Sequence, residues 1–166
     1  MLETMLPMAV GAAMIVGAAY DAATLTIPNW ISIVLLALFP AVALDAGLGW
    51  GEAGVHVGIG LAALVAGAAL FGAGVIGGGD AKLFAAVSLY VGAPSFAIFI
   101  VCVAIVGGAV ALTVLAIRWS AAFGVGSKIS WLQHLIKGAG IPFGVAIAAG
   151  GLFVFPRTHL FLGLTQ

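Results

Sequence analysis

Charged side chains are scarce in this chain. Lys, Arg, Asp and Glu together supply only 6% of the 166 residues, and their formal charges cancel at neutral pH. Because an ordinary soluble domain carries about 25% charged residues, this shortage excludes a typical water-soluble protein. The sequence also lacks a basic stretch long enough to follow a phosphate backbone. We therefore expect no nucleic-acid partner.

Potential metal ligands are equally sparse. The single cysteine, Cys102, lies inside an apolar run, which excludes a disulfide framework and a cysteine-based zinc site. The histidines, His56, His134 and His159, include no pair at the i, i+4 spacing of a helical metal site. The sequence therefore predicts neither a metal nor a cofactor.

Apolar residues dominate instead, at 64% of the chain with a mean hydropathy of +1.34. A transmembrane helix needs about 20 apolar residues to cross about 30 Å of hydrocarbon. Six apolar runs reach or approach this length: residues 6–23, 30–48, 55–75, 81–91, 96–117 and 141–162. The sequence thus predicts an all-α fold, a polytopic membrane bundle of about six transmembrane helices, in a single domain over residues 1–166.

The fourth run is short because Gly92-Ala93-Pro94 interrupts it, so a re-entrant half-helix is an alternative to a full crossing. Charge placement favours the crossing. With six spans, Lys82, Arg118, Lys128 and Lys137 share one side, whereas Arg157 lies on the other side with Glu3, Asp45 and Glu52. Basic residues concentrate in cytoplasmic loops, so we expect both termini to face outward.

The longest polar segment covers residues 118–140. Ile129, Leu132 and Ile136 recur there at helical spacing, which is typical of a short helix lying on the membrane interface. An irregular loop is equally compatible with this segment.

The small-residue pairs Gly54/Gly58 and Gly140/Gly144 predict close packing between membrane helices.

Two aspartates stand beside the apolar runs. Asp21 follows the first run and Asp80 follows the third. Since these two helices run in the same direction, both carboxylates are predicted at the cytoplasmic boundary. Ionisable groups in a membrane cost about 2.5 to 3.5 kcal/mol at a helix centre and are functional candidates by default. A pair at one depth can share a proton and hydrolyse a peptide with activated water. Singly, each could be a helix cap or a solvated end.

The residues before Asp80 are all glycine, Gly77, Gly78 and Gly79. Glycine reaches positive φ without steric cost and lets backbones approach closely, so the run predicts a turn that presents Asp80, which could also serve as the N-cap of the next helix. The run lacks the Gly-Lys-Ser/Thr ending of a phosphate loop, and we discount nucleotide binding.

Several segments together carry a family resemblance. The first, Gly77-Gly78-Gly79-Asp80, matches the Gly-x-Gly-Asp signature of intramembrane aspartyl proteases. The others are Asp80-Ala81-Lys82-Leu83, the spacing from Asp21 to Ile27-Pro28-Asn29, and the late segment 140–148. In combination they resemble the prepilin peptidases, also called type IV or class III signal peptidases. The similarity is greatest to the short, peptidase-only members that serve tight-adherence (Flp-type) pili.

The resemblance implies roles for individual residues. Asp21 and Asp80 would be catalytic, and Gly77 to Gly79 would shape the active-site turn. Lys82 would support the site by docking substrate or neutralising charge, although a lysine that snorkels to the membrane surface explains it equally well.

The resemblance also implies a substrate and a location. The partner would be a prepilin or pseudopilin whose basic leader precedes a hydrophobic helix, cut on the cytoplasmic side of the bacterial inner membrane. Larger members N-methylate the product and carry a region with Cys-x-x-Cys motifs, which this sequence lacks. We therefore expect no methyltransferase-type domain, and the oligomeric state stays open.

Two other functions compete with proteolysis. A small proton- or ion-coupled transporter could use the aspartates as carriers, but such sites usually lie near the bilayer midplane within internal repeats. Asp21 and Asp80 instead lie at an edge, and no convincing repeat is present. A noncatalytic subunit of a secretion machine is the third alternative.

Overall fold

The computed structural model describes residues 2–122, 133–138 and 140–164. Its helices are, in chain order, α1 (Leu2–Thr24), α2 (Asn29–Asp45), α3 (Trp50–Gly72), α4 (Gly78–Ala122), α5 (Gln133–Lys137), α6 (Phe143–Val154) and α7 (His159–Leu164), with a 3₁₀ turn at Phe155–Arg157. These helices pack into a bundle. The predicted all-α membrane helix bundle is confirmed.

Three helical stretches in the described residues are long and apolar enough to cross a membrane, namely Met5–Thr24, Trp50–Gly72 and Gly78–Ala121. Asn29–Asp45 and Phe143–Arg157 are apolar but shorter. Large hydrophobic side chains point out of the bundle, and Met8, Val65 and Ile105 each expose about 70% of their surface. Hydrocarbon rather than water suits such a surface, so the chain is an integral membrane protein.

Helix α4 reverses direction at Gly92, whose φ of 67° and ψ of 174° are not helical. The two halves lie side by side, because the ring of Phe84 stacks on that of Phe99 with centroids 5.3 Å apart. The first half, residues 78–91, is about 20 Å long at 1.5 Å per residue, and most of its residues are buried. The break predicted at Gly92-Ala93-Pro94 is therefore present, and it places the half carrying Asp80 in the centre of the bundle.

A side chain of α3 contacts α4 close to this break. The Nδ1 atom of His56 lies 2.6 Å from the backbone oxygen of Leu89, three residues before Gly92. This contact lies at the end of the bundle opposite to Asp80.

The last apolar run is not one helix. Residues 141–162 contain α6, the 3₁₀ turn and α7. Pro156 lies within the 3₁₀ turn, and proline cannot donate the backbone hydrogen bond that would continue the helix. The hydroxyl of Thr158 donates to the Phe155 oxygen at 2.7 Å and accepts from the Phe161 amide at 3.3 Å, so it ends one element and starts the next.

Small residues do bring helices together, but not all at the predicted pairs. Gly54 and Gly58 have no neighbouring atom within 4 Å of a β-carbon position, so the packing predicted for them is wrong. Gly60 and Gly67 carry the contact of α3 with the first half of α4 instead. A β-carbon would lie 2.7 Å from Leu89 at Gly60 and 3.0 Å from Ala81 at Gly67.

The predicted interfacial helix falls only partly within the described residues. Helix α5, which contains Ile136, is the helical part that the structure describes between α4 and α6. Ile129 and Leu132 lie outside the described residues, as does Lys128.

Candidate active site

Both predicted aspartates line one cavity of about 240 Å³. Its other walls come from the α1–α2 loop and the α3–α4 loop. The lining residues are Asp21, Leu25, Thr26, Ile27, Gly77, Gly78, Gly79 and Asp80. The trailing ends of α1 and α3 therefore meet at the same end of the bundle, and both carboxyl groups border the same cavity.

A larger cavity of about 640 Å³ lies elsewhere, between α2, α3 and the first half of α4. Its walls are mostly apolar, with Leu36, Leu61 and Leu64 among them. Acid–base chemistry requires titratable groups within reach of the reacting atoms, so the smaller cavity, which both aspartates line, is the candidate active site. The larger one is an apolar groove that shares no lining residue with it.

Asp21 is held by a distant part of the chain. It lies in the last turn of α1 with 3% of its surface exposed, and its Oδ2 accepts a 2.6 Å hydrogen bond from the amide of Gly144. Gly144 belongs to the first turn of α6, where backbone amides have no partner within the helix and favour negative charge. A β-carbon on Gly144 would lie 2.9 Å from this carboxylate oxygen and 2.6 Å from Ile27.

Asp80 is held by its own turn. Its Oδ2 accepts from the amide of Gly77 at 3.2 Å, and the Ala81 amide donates to the Gly77 oxygen at 3.1 Å. Gly77 thus occupies the N-cap position of α4 and Asp80 the third helical position, as in one half of a capping box. The alternative of Asp80 as the N-cap is wrong by three residues. Its Oδ1 is buried without a hydrogen-bond partner among the described residues.

The glycine run is explained by space rather than by positive φ. Gly77, Gly78 and Gly79 are not among the glycines with positive φ. A β-carbon on Gly79 would lie 3.1 to 3.3 Å from Ile27, including its backbone nitrogen and oxygen, and one on Gly77 would lie 2.8 Å from Asp80 Oδ2. The expected close approach of backbones is present, and the positive φ is not.

Leu25 has a φ of 54°, which is a rare conformation for a bulky residue. It lies on the rim of the cavity, in the α1–α2 loop. The hydroxyl of Thr24 bonds the Tyr20 oxygen and the Thr26 hydroxyl, both at 2.8 Å, and so fastens the loop on either side of Leu25. Sequence patterns gave no signal for this feature, because leucine normally avoids the left-handed region.

Lys82 does not line the cavity of the two aspartates. Its Nζ donates to Asn29 Oδ1 at 2.8 Å, which ties α4 to the beginning of α2. Both residues border the apolar groove. The structure therefore places Lys82 two residues beyond Asp80 in the chain, but against the apolar groove rather than in the cavity of the aspartates.

Comparison with protein families identifies the chain. Residues 8–112, more than half of the sequence, match the type IV leader peptidase family. The chain belongs to that family. Searches of curated proteins and of solved structures give no match. The matched range of the leader peptidase contains both aspartates, the glycine run and Lys82 and ends before Arg118 and Gly144. As a member of the family, the protein is a leader peptidase for prepilin-type substrates.

Gly144 is the residue of this site that sequence reasoning missed. The segment 140–148 contributes to the family resemblance and contains the small-residue pair Gly140/Gly144. Neither pattern predicts that the Gly144 amide donates to Asp21. The two residues lie 123 positions apart, and only the packing of α6 against α1 brings them together.

Proposed function

We propose that the protein is a membrane aspartyl endopeptidase that removes the basic leader of prepilin or pseudopilin substrates, with Asp21 and Asp80 as its catalytic pair. The observation that carries this proposal is the single cavity shared by both carboxyl groups. The buried Oδ1 of Asp80, which has no other partner among the described residues, supports it because a free oxygen can bind a proton or a water.

The proposed reaction uses one proton on the pair. The ionised carboxylate takes a proton from a water molecule, whose oxygen adds to the scissile carbonyl carbon, while the protonated carboxyl gives its proton to the carbonyl oxygen. As this diol collapses, the C–N bond breaks and a C=O bond forms again. One diol hydroxyl returns its proton to the carboxylate that had protonated the carbonyl oxygen, and the proton taken from water passes to the departing amine nitrogen. Since coupled carboxyls titrate as a pair, the shared proton belongs to both.

The apolar groove gives the substrate a path into the membrane. Asn29 and Lys82 line the groove, and each lies two residues beyond a residue of the cavity, Ile27 and Asp80 respectively. In the proposed binding mode, a peptide cut at the cavity passes Asn29 and Lys82 and continues along the groove as an apolar helix. This arrangement supports a substrate whose hydrophobic helix follows the scissile bond.

The distribution of charge supports a cytoplasmic active site in the bacterial inner membrane. Lys82 and Arg118 lie at the cavity end of the bundle, whereas Arg157 and Glu52 lie at the opposite end. Basic residues favour the cytoplasmic side, so both termini face outward in the proposed topology. We take residues 1–166 as one peptidase unit.

The test is cleavage of a purified prepilin by the protein in liposomes, with Asp21→Asn and Asp80→Asn compared to wild type. Asparagine keeps the size of aspartate but cannot titrate, so each substitution should abolish cleavage. Asp45→Asn is the matched control, because Asp45 is exposed at the other end of α2. Retained cleavage in both variants would reject the pair, and aspartate-dependent proton flux without cleavage would indicate a transporter.

A further inference from the structure

Arg118 donates hydrogen bonds to the backbone of the segment that leads into α6. It lies near the end of α4 and is partly buried. Its Nε donates to the Leu135 oxygen at 2.9 Å, and its Nη2 donates to the oxygens of Gly138 and Gly140 at 2.6 and 2.7 Å. One guanidinium group therefore holds three carbonyls within six consecutive residues.

The segment bound by Arg118 contains only one short helix among its described residues. Helix α5 spans only Gln133–Lys137, and isolated helices shorter than about 12 residues are marginal. Hydrogen bonds from a charged donor are roughly twice as strong as neutral ones, and a guanidinium offers five N–H groups in a fixed planar fork. Arg118 is thus the described side chain that fastens these carbonyls to the much longer α4.

A short, stiff link connects this segment to the candidate active site. Pro142 precedes α6 and has a fixed φ, and the Phe143 amide donates to the Ile141 oxygen at 2.8 Å. The next amide, that of Gly144, donates to Asp21. Only three residues lie between Gly140, whose carbonyl is the last one bound by Arg118, and Gly144, so a shift of the segment moves the donor.

We propose that Arg118 is a positioning residue for the catalytic pair, which acts by keeping the Gly144 amide on Asp21. This inference rests on the proposed function and adds to it a residue outside the matched range of the family. Arg118 itself touches neither carboxyl group in the structure. Its effect on the reaction passes through the segment 135–143.

The kinetic test compares Arg118→Gln and Arg118→Lys with wild type on a prepilin substrate. A misplacement of about 1 Å can cost about 100-fold, so we expect kcat to fall roughly 10- to 100-fold in Arg118→Gln while KM changes little. Lysine keeps the charge but is a point donor that cannot span three carbonyls. Arg118→Lys should therefore lie between Arg118→Gln and wild type.

Arg157→Gln is the matched control. Arg157 also donates to a backbone carbonyl, that of Phe153, and its guanidinium lies 4.1 Å from the centre of the Phe153 ring. It belongs to the opposite end of the bundle, so its removal should leave kcat unchanged. Equal losses in the two glutamine variants, an unchanged kcat in Arg118→Gln, or an effect on KM alone would overturn the proposal.

Hydrogen exchange supplies a readout that needs no substrate. We expect Arg118→Gln to speed amide exchange in residues 135–145, Gly144 included, and to leave α2 unchanged, whereas Arg157→Gln should not alter residues 135–145. Unchanged exchange at Gly144 would contradict the proposal even if activity were lost. If wild type failed to cleave any prepilin, the proposed function would fail, and this comparison would still decide whether Arg118 holds the segment.

Discussion

The two carboxyl groups of the site are held in different ways. Asp80 accepts from Gly77, three residues before it, whereas Asp21 accepts from Gly144, 123 residues after it. The first contact forms as soon as the turn that begins α4 forms. The second exists only after α6 has packed against α1. The hydrogen bond on Asp80 is therefore a local contact, and the hydrogen bond on Asp21 is a tertiary one.

Apart from the aspartate variants, the largest effect is expected on the Asp21 side of the cavity, from Gly144→Ala. The new β-carbon would lie 2.6 Å from Ile27 Cδ1 and 2.9 Å from Asp21 Oδ2, so the amide must move away from the carboxylate. We expect kcat to fall roughly 100-fold, as for a misplacement of about 1 Å. Gly140→Ala is the control, because its nearest neighbour would be Leu25 at 3.8 Å. Similar rates for the two variants would show that the Gly144 contact does not matter.

A smaller loss is expected on the Asp80 side of the cavity, from Gly79→Ala. Its β-carbon would meet the backbone nitrogen and oxygen of Ile27 at 3.3 Å, and a backbone cannot rotate out of the way as a side chain can. Overpacking of this kind costs about 1 to 3 kcal/mol, which we expect as lower thermal stability together with a lower kcat. Its neighbour Gly78→Ala should be nearly neutral, since it meets only the ring of Phe71. Thermal unfolding and cleavage rates of the pair test this difference.

The groove beyond Asp80 gives a third comparison, between two positions on α2. Leu36 lines the groove and Val34 does not. Tryptophan at position 36 should fill the groove and raise KM for a prepilin roughly 10-fold, which corresponds to about 1.4 kcal/mol of lost binding. Tryptophan at position 34 should leave KM unchanged. An equal effect at both positions would place the substrate helix elsewhere.

The smallest effect is expected from the contact between Lys82 and Asn29. A hydrogen bond contributes about 0.5 to 1.5 kcal/mol net, so Lys82→Met and Asn29→Ala should each lower activity by less than about 10-fold. If the 2.8 Å bond is their only shared role, the double variant should be no worse than either single one. Strict additivity in this double-mutant cycle would show that the two side chains act separately.

The same division between local and tertiary contacts explains what the sequence could predict. Counting apolar runs predicted the membrane helices. Because the first and third helices run in the same direction, the count also predicted that Asp21 and Asp80 lie at the same end of the bundle. The break at Gly92-Ala93-Pro94 was visible because glycine and proline act on the backbone within a few residues. The assignment of Asp21 and Asp80 as catalytic stays a prediction, which the aspartate variants above test.

The features that could not be predicted depend on partners far along the chain. Gly60 and Gly67 pack against α4 whereas Gly54 and Gly58 face open space, although all four lie on α3. Spacing alone cannot say which face of a membrane helix meets protein and which meets lipid, because both are apolar. The contacts of Gly144 and Arg118 could not be predicted for the same reason. Nothing near Gly144 in the sequence indicates that its amide donates to Asp21, and nothing near Arg118 indicates that it binds carbonyls of residues 135–140.

The positive φ of Leu25 makes the energy needed to move one wall of the cavity differ from that of the other. A bulky residue at positive φ costs of order 1 to 3 kcal/mol, and relaxing it returns that energy. The facing wall begins the half-helix 78–91, most of whose residues are buried and which has no residue at positive φ before Gly92. We therefore expect an arriving peptide to displace the loop at Leu25 more easily than the helix that carries Asp80.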